Sequence, residues 1–141
     1  MNARAVRRAA AADLDSVVAI GTRTFAAGWS REALAAEVSR PDSLFLVVPD
    51  RAYALARIVD KDCRLIDLAA KKDGDGCGRA LMQALTLTAG ACGCEKISFE
   101  VSAANARALA FYDKAGAHVV GRRPKFYNDG SDAVLMDLDI P

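Results

Sequence analysis

Near residue 70 the chain changes its period, and that change limits the folds open to it. Before it, three apolar runs follow one another with only tight turns between them: "SLFLVV" (43–48), "AYALARIV" (52–59) and "CRLIDLAA" (63–70). Pro49-Asp50-Arg51 and Asp60-Lys61-Asp62 have turn composition, so the runs read as an antiparallel meander. Then comes "KKDGDGCGRALM", after which Leu81, Leu85 and Thr88 keep helical spacing from Arg79 to Ala89. Gly90 with Gly93 is expected to end that helix. "KISFEV" (96–101) is a strand again, and one helical crossover makes 64–70 and 96–101 parallel neighbours.

The flanks fill in a mixed sheet. "AVRRA" (5–9) reads as a first strand, and Asp13 is expected to cap the helix "LDSVVAIGTRTF" with Leu14, Val17, Val18 and Phe25 as its apolar stripe. Ser30 precedes a short helix, "REALAAEV", with Leu34 and Val38 on one side. "NARALAFYDKAG" reads as a helix capped by Asn105 and stopped at Gly116. "AHVVGRR" and "AVLMDLDI" make a last hairpin across "NDGS". The order is β-α-α-β-β-β-α-β-α-β-β, an α/β chain with no repeat or linker, read as one domain over 1–141.

Composition narrows the function classes. Hydrophobic content of 52% with 26% charged residues suits a globular protein, and a net charge of +1 gives no electrostatic reason for a nucleic-acid or membrane partner. No apolar run has the length of a membrane span, and "MNARAVRRAAAADLD" carries charges where a signal peptide needs an apolar stretch, so the cytoplasm is the expected location. Cys63, Cys77, Cys92 and Cys94 lack paired zinc spacing, and His118 has no obvious partner or triad pattern; no metal is expected.

Gly74, Gly76 and Gly78, at alternate positions before a helix, are how chains build a cradle of backbone N–H groups for a phosphate. Asp73 and Asp75 oppose an anion there, but Lys71, Lys72 and Arg79 outnumber them. A helix start favours an anion by roughly 0.3–1 kcal/mol, and an exposed carboxylate able to turn outward is outweighed by several aimed donors. The alternative is an ordinary glycine-rich turn. G-x-x-x-x-G-K-[ST] is absent, and the third glycine of G-x-G-x-x-G is missing. Glu100 has the position of a ribose-binding acid, but a meander before the loop and 41 residues after Glu100 leave too little chain for a doubly wound sheet.

Strand "LIDLAA", loop "GDGCGRALM", the run "ISFEVSAANARALAFYDKAGA" and the ending "VVGRRPKFYNDGSDAVLMDL" together resemble the GNAT acetyltransferase superfamily, and within it the ribosomal-protein-alanine N-acetyltransferases. "GWSREAL" (28–34) fits too, so the resemblance covers nearly the whole chain; the E-V-x-x-x-N-x-x-A-x-x-x-Y run is its most discriminating part. The resemblance implies a mixed, mostly antiparallel sheet of about seven strands, splayed between its two central parallel strands, with flanking helices and acetyl-CoA in the cleft. It implies that backbone of Leu68, Ala69 and Ala70 pairs with the pantetheine arm, that Gly74, Asp75, Gly76, Cys77, Gly78 and Arg79 wrap the pyrophosphate, and that Asn105 touches the arm from the other side. Glu100 and Tyr112 match the family's proton acceptor and donor, and Trp29, Phe126 and Tyr127 its acceptor-side aromatics. The family's loop begins with Gln or Arg where this chain has Asp73, and its strand-to-loop connection is longer.

Each candidate also has a plainer reading: Glu100 as a surface ion-pair residue, Tyr112 as core, Trp29 as an anchor for its helix, and Phe126 with Tyr127 as the closure of the hairpin. The acceptor that the resemblance implies is a protein N-terminus, the N-terminal alanine of a small-subunit ribosomal protein. The chemistry agrees with that acceptor. An α-amine is roughly a tenth neutral at pH 7 and a lysine below a thousandth, a difference of about 3 kcal/mol, so one carboxylate is an adequate base for the former. Lysine or small-amine acetylation, or a binding module with weakened CoA affinity, are the competing expectations.

Overall fold

A computed structural model describes residues 4–21 and 29–141. Its seven strands are β1 (Arg7–Arg8), β2 (Ser43–Val48), β3 (Ala52–Val59), β4 (Asp62–Ala70), β5 (Lys96–Ser102), β6 (His118–Arg123) and β7 (Ala133–Asp139). The helices among the described residues are α1 (Leu14–Gly21), α2 (Arg31–Ser39), α3 (Cys77–Ala91) and α4 (Ala106–Lys114). The strands form one sheet in the order β1-β2-β3-β4-β5-β7-β6. Every neighbouring pair is antiparallel except β4 with β5.

Apolar alternation sends side chains to both faces. Leu44, Leu46 and Val48 of β2 join Cys77, Leu81 and Leu85 of α3 and Phe99 and Val101 of β5 in one core. Ala52, Ala54 and Ala56 of β3 face that side, and their small side chains let α3 lie close to the sheet. Phe45 and Val47 turn to the other face, where Leu14, Val17 and Ile20 of α1 and Leu34 of α2 cover them.

The helix ends follow local chemistry. Ser30 caps α2, its Oγ accepting from Ala33 N at 3.0 Å, and Asn105 caps α4, its Oδ1 accepting from Ala108 N at 3.1 Å. Gly116, at φ +101°, closes α4 with Ala117 N donating to Tyr112 O. Gly93, at φ +88°, closes α3 the same way, with Cys94 N donating to Ala89 O. Gly90 does not end that helix but lies inside it, where Ile140 Cγ2 stands 3.1 Å from the place a Cβ would take.

Two expectations need correction. Asp13 closes a 3₁₀ turn (Ala11–Asp13) that runs straight into α1; instead of capping α1, its carboxylate reaches back to Ala10 N at 2.8 Å and pairs with Arg7. The first strand pairs over only two residues, and the stretch of the first helix beyond Gly21, with Phe25, lies outside the described residues. On α2, Leu34 and the half-buried Val38 meet the same α1-side core, as the spacing predicts, and Glu37 is buried beside them, held by Arg57 of β3.

Candidate active site

The parallel pair supplies the opening. β4 and β5 are in register only at Asp62–Lys96, Cys63–Ile97 and Arg64–Ser98; beyond these pairs Leu65–Ala70 and Phe99–Ser102 run on without each other. A bulge in β4 contributes. Leu55 faces Asp67 while Ala56 faces Leu65, so Ile66 is an extra residue, 39% exposed. The bulge exchanges the faces of β4: Cys63 and Leu65 belong to the α3-side core, and Ala69 to the α1-side core. Backbone of Leu68, Ala69 and Ala70 therefore lines an unpaired edge towards β5, while its other edge pairs with β3. An extended ligand arm has donors and acceptors to meet there.

At the end of β4 the chain turns through 71–76 into α3. Gly74 (φ +75°) and Gly76 (φ +86°) take left-handed conformations, which is why glycines occupy those places. Ala80 N donates to Gly76 O at 3.0 Å, so the N–H groups of Gly78 and Arg79 precede the first intrahelical bond. The two carboxylates are already engaged. Asp75 Oδ1 accepts from Cys77 N at 3.0 Å and Oδ2 from Arg51 at 3.1 Å; the Cys77 N–H and the Arg51 charge hold Asp75 below the usual carboxylate range. Asp73 pairs with Arg107 in the first turn of α4. Asp75 thus removes one donor from the cradle, and neither carboxylate presents an uncompensated charge.

Glu100 and Tyr112 stand on opposite faces of β5. Phe99 and Val101 point to the α3 side, so Glu100 between them points to the other. Tyr112, on α4, packs its ring on Phe99 with centroids 4.2 Å apart and on Phe111 at 5.2 Å. Burial pushes its phenol pKa up, and the charge of Asp67 adds to that. Arg123 Nη1 lies 3.9 Å from Glu100 Oε1, a long and partly exposed pair. Burial, with the charge of Glu100 adding to it, raises the pKa of the Tyr127 phenol. Phe126 is 47% exposed, meets Tyr127 edge-on at 5.1 Å and carries the Arg123 guanidinium over its ring. Trp29 packs against the α1-side core, so anchoring α2 is the contact seen for it. Asn105 spends its oxygen on the cap, leaving its amide nitrogen. His118 is exposed at the start of β6.

Two residues at this centre were not singled out from the sequence. Arg123 is one. Asp67 is the other: only 6% exposed, its carboxylate accepts from the Tyr53 hydroxyl, and burial raises its pKa against the pull of that bond. A carboxylate inside the apolar run "LIDLAA" was the available signal. Among the described residues, no three His, Cys, Asp or Glu side chains gather into a metal-binding group, and no helix is long and apolar enough to cross a membrane.

Comparison with known proteins gives this arrangement a family. Residues 14–117 match the model of the acetyltransferase (GNAT) family. The [ribosomal protein bS18]-alanine N-acetyltransferase of Escherichia coli K12 is 29% identical over 136 residues, 91% of this chain and 92% of that protein. The crystal structure of the ribosomal-protein-S18-alanine N-acetyltransferase from Escherichia coli superposes with a TM-score of 0.83 at 27% identity, covering 96% of this chain and 93% of that one. A structure of yncA from Salmonella typhimurium with its cofactor acetyl-CoA has a TM-score of 0.81 at 19% identity over 97% and 94% of the two chains, a likeness of fold alone. With a family match over most of its length and the splayed mixed sheet to go with it, the chain belongs to the acetyltransferase (GNAT) family and is an N-acetyltransferase.

Proposed function

We propose that the protein moves acetyl from acetyl-CoA to the N-terminal α-amine of a protein, with residues 1–141 acting as one domain. The observation that carries this reading is the opening of β4 from β5 beyond Arg64 and Ser98, with Glu100 on one face of β5 and Tyr112 on the other. The unpaired backbone of Leu68, Ala69 and Ala70 suits a pantetheine arm with its alternating amides, and Asn105 offers an amide from the facing helix. The turn over 74–79 suits the pyrophosphate: glycines at positive φ, and the N–H groups of Gly78 and Arg79 at the head of a 15-residue helix. Acetyl-CoA supplies the activated acyl group.

This chain's own residues handle the protons. Glu100, directly or through a water, takes the proton from the incoming amine as its nitrogen bonds to the acetyl carbon. Tyr112 gives its proton to the sulfur as the C–S bond breaks, and burial, which raises the pKa of that phenol, favours its protonated form beforehand. Phe126 and Tyr127, beside Glu100, and Trp29 at the start of α2 are the acceptor-side surface in this reading. The acceptor is a protein beginning with a small residue, and the kinship with the Escherichia coli enzyme points to the N-terminal alanine of a ribosomal protein. A net charge of +1 favours contacts in the first few residues over long-range attraction, with no nucleic-acid or membrane partner.

The test is release of CoA from acetyl-CoA by an alanine-first peptide, with the wild-type protein and Glu100→Gln side by side. The reading predicts turnover by the wild type and a loss of about 10²-fold in kcat/KM in the variant. Equal rates would remove Glu100 from the chemistry, and no turnover by either would remove the acceptor class.

A further inference from the structure

We propose that Ser131 is a positioning residue for acetyl transfer: through Ser102 it fixes the hairpin that carries Phe126 and Tyr127 against the end of β5 that carries Glu100. This inference rests on the reading above, in which those aromatics meet the acceptor and Glu100 takes its proton. Ser131 Oγ and Ser102 Oγ stand 2.7 Å apart, although the residues are 29 apart in sequence. Ser131 lies in the connection from β6 to β7, and Ser102 ends β5.

Each bond in this line has a direction. A carboxylate only accepts, so the Ser131 hydroxyl, 2.5 Å from Asp129 Oδ1, donates to it, and Ser131 N donates to the same oxygen at 2.9 Å. Those two bonds hold Asp129 below the usual carboxylate range. With its proton committed, Ser131 Oγ accepts from the Ser102 hydroxyl, whose own oxygen accepts from Ala104 N at 3.1 Å. The donors run from Ala104 N–H through Ser102 and Ser131 to the Asp129 carboxylate, each bond polarising the next. The line begins one residue before Asn105, the cap of α4, and so at the root of the helix that carries Tyr112.

Strand alternation puts the line on the same face as Glu100. Ser102 follows Glu100 by two residues, so both side chains point away from the face of Phe99 and Val101. Ser102 is buried, and its hydroxyl needs a partner there. Across the sheet Ser102 stands opposite Ala133, and Ala133 opposite Arg123. The Arg123 guanidinium reaches Glu100 at 3.9 Å and the Phe126 ring at 5.6 Å, which brings that ring into the neighbourhood of the carboxylate. Backbone bonds frame the same place: Ala103 N donates to Asp132 O at 2.8 Å, Tyr127 N to Ser131 O at 3.2 Å and Gly130 N to Tyr127 O at 2.9 Å. Tyr127 is thus held to Ser131 by its backbone, and Ser131 to β5 by its hydroxyl. Removing that hydroxyl loosens the aromatics relative to Glu100 while leaving both in the chain.

Ser131→Ala removes the bond, and Ser131→Thr keeps the hydroxyl. With an alanine-first peptide as acceptor, Ser131→Ala is expected to raise the peptide KM about fivefold with kcat within about twofold of wild type, and Ser131→Thr to restore most of the difference. Acetyl-CoA affinity, read by calorimetry, should stay within about twofold in both variants. An unchanged peptide KM in Ser131→Ala would overturn the proposal, and so would an equal rise in Ser131→Ala and Ser131→Thr. Loss of acetyl-CoA affinity in step with the rise in KM would also overturn it, since Ser131 would then act through the fold as a whole. Tyr127→Ala separates the proposal from the reading beneath it. If Tyr127→Ala raises the peptide KM and Ser131→Ala does not, the proposal alone falls. If Tyr127→Ala leaves the KM at the wild-type value, the hairpin is not the acceptor surface, and the reading and the proposal fall together.

Discussion

Tyr112 carries an aromatic ring in the core and a phenol whose proton the proposed chemistry calls for, and the two roles are separable by removing one oxygen. The ring contacts with Phe99 and Phe111 survive in Tyr112→Phe. Single-turnover acetyl transfer should therefore slow by about 10²-fold while acetyl-CoA affinity stays within about threefold. Loss of affinity together with rate would assign the residue to packing. Asp67 tests a different balance. Its pKa is raised by burial, so between the ordinary carboxylate range and its own raised value the folded state holds a proton that the unfolded state has released. Stability then falls as pH rises through that window. Asn can still accept from the Tyr53 hydroxyl without a charge, so Asp67→Asn should raise Tm at pH 7.5 by more than it does at pH 4. Equal effects at the two pH values would mean that charge burial is not what distinguishes Asp67.

Helix ends and strand runs were legible at the level of elements because their causes are local. Ser30, Asn105 and Gly116 act on residues within one turn, and each does what its type and place in the sequence predict. The β4 bulge was not legible. It arises from how β3 pairs with β4, and nothing in "CRLIDLAA" records which residue has no partner. The pairs Arg51–Asp75 and Arg107–Asp73 were hidden for the same reason, joining residues 24 and 34 apart in sequence. Hence the sequence raised the question of the two carboxylates, and the fold answers it by supplying their partners. Glu37 is a further case. Burial works to raise its pKa, but the Arg57 guanidinium prevails and lowers it, so α2 is pinned to β3 by a carboxylate. A lowered pKa contributes stability above the ordinary glutamate range that is lost as pH falls through the folded value. Glu37→Gln should cost roughly 3 kcal/mol at pH 7, read by urea unfolding, and less at pH 3, because it breaks a buried pair from one side. A cost independent of pH would indicate that shape, not charge, holds α2 in place.

For the molecule as a whole, the account joins two halves of different legibility. The E-V-x-x-x-N-x-x-A-x-x-x-Y run lies in the half that forms β5 and α4, and Glu100, Asn105 and Tyr112 come from it directly. The residues proposed for the acceptor side come from distant parts: Trp29 ahead of α2, and Phe126 and Tyr127 in the far hairpin, where Arg123 lies over the Phe126 ring. The central claim is that this assembly acetylates an α-amine. Two peptides decide it, one beginning with a free alanine and lacking lysine, the other N-terminally blocked and containing a single internal lysine. Each is incubated with the protein and acetyl-CoA at pH 7, and kcat/KM is read by mass spectrometry. The account predicts that the free alanine peptide is acetylated at least about tenfold faster, since its amine is roughly a hundredfold more abundant in neutral form. Faster acetylation of the internal lysine would contradict the account.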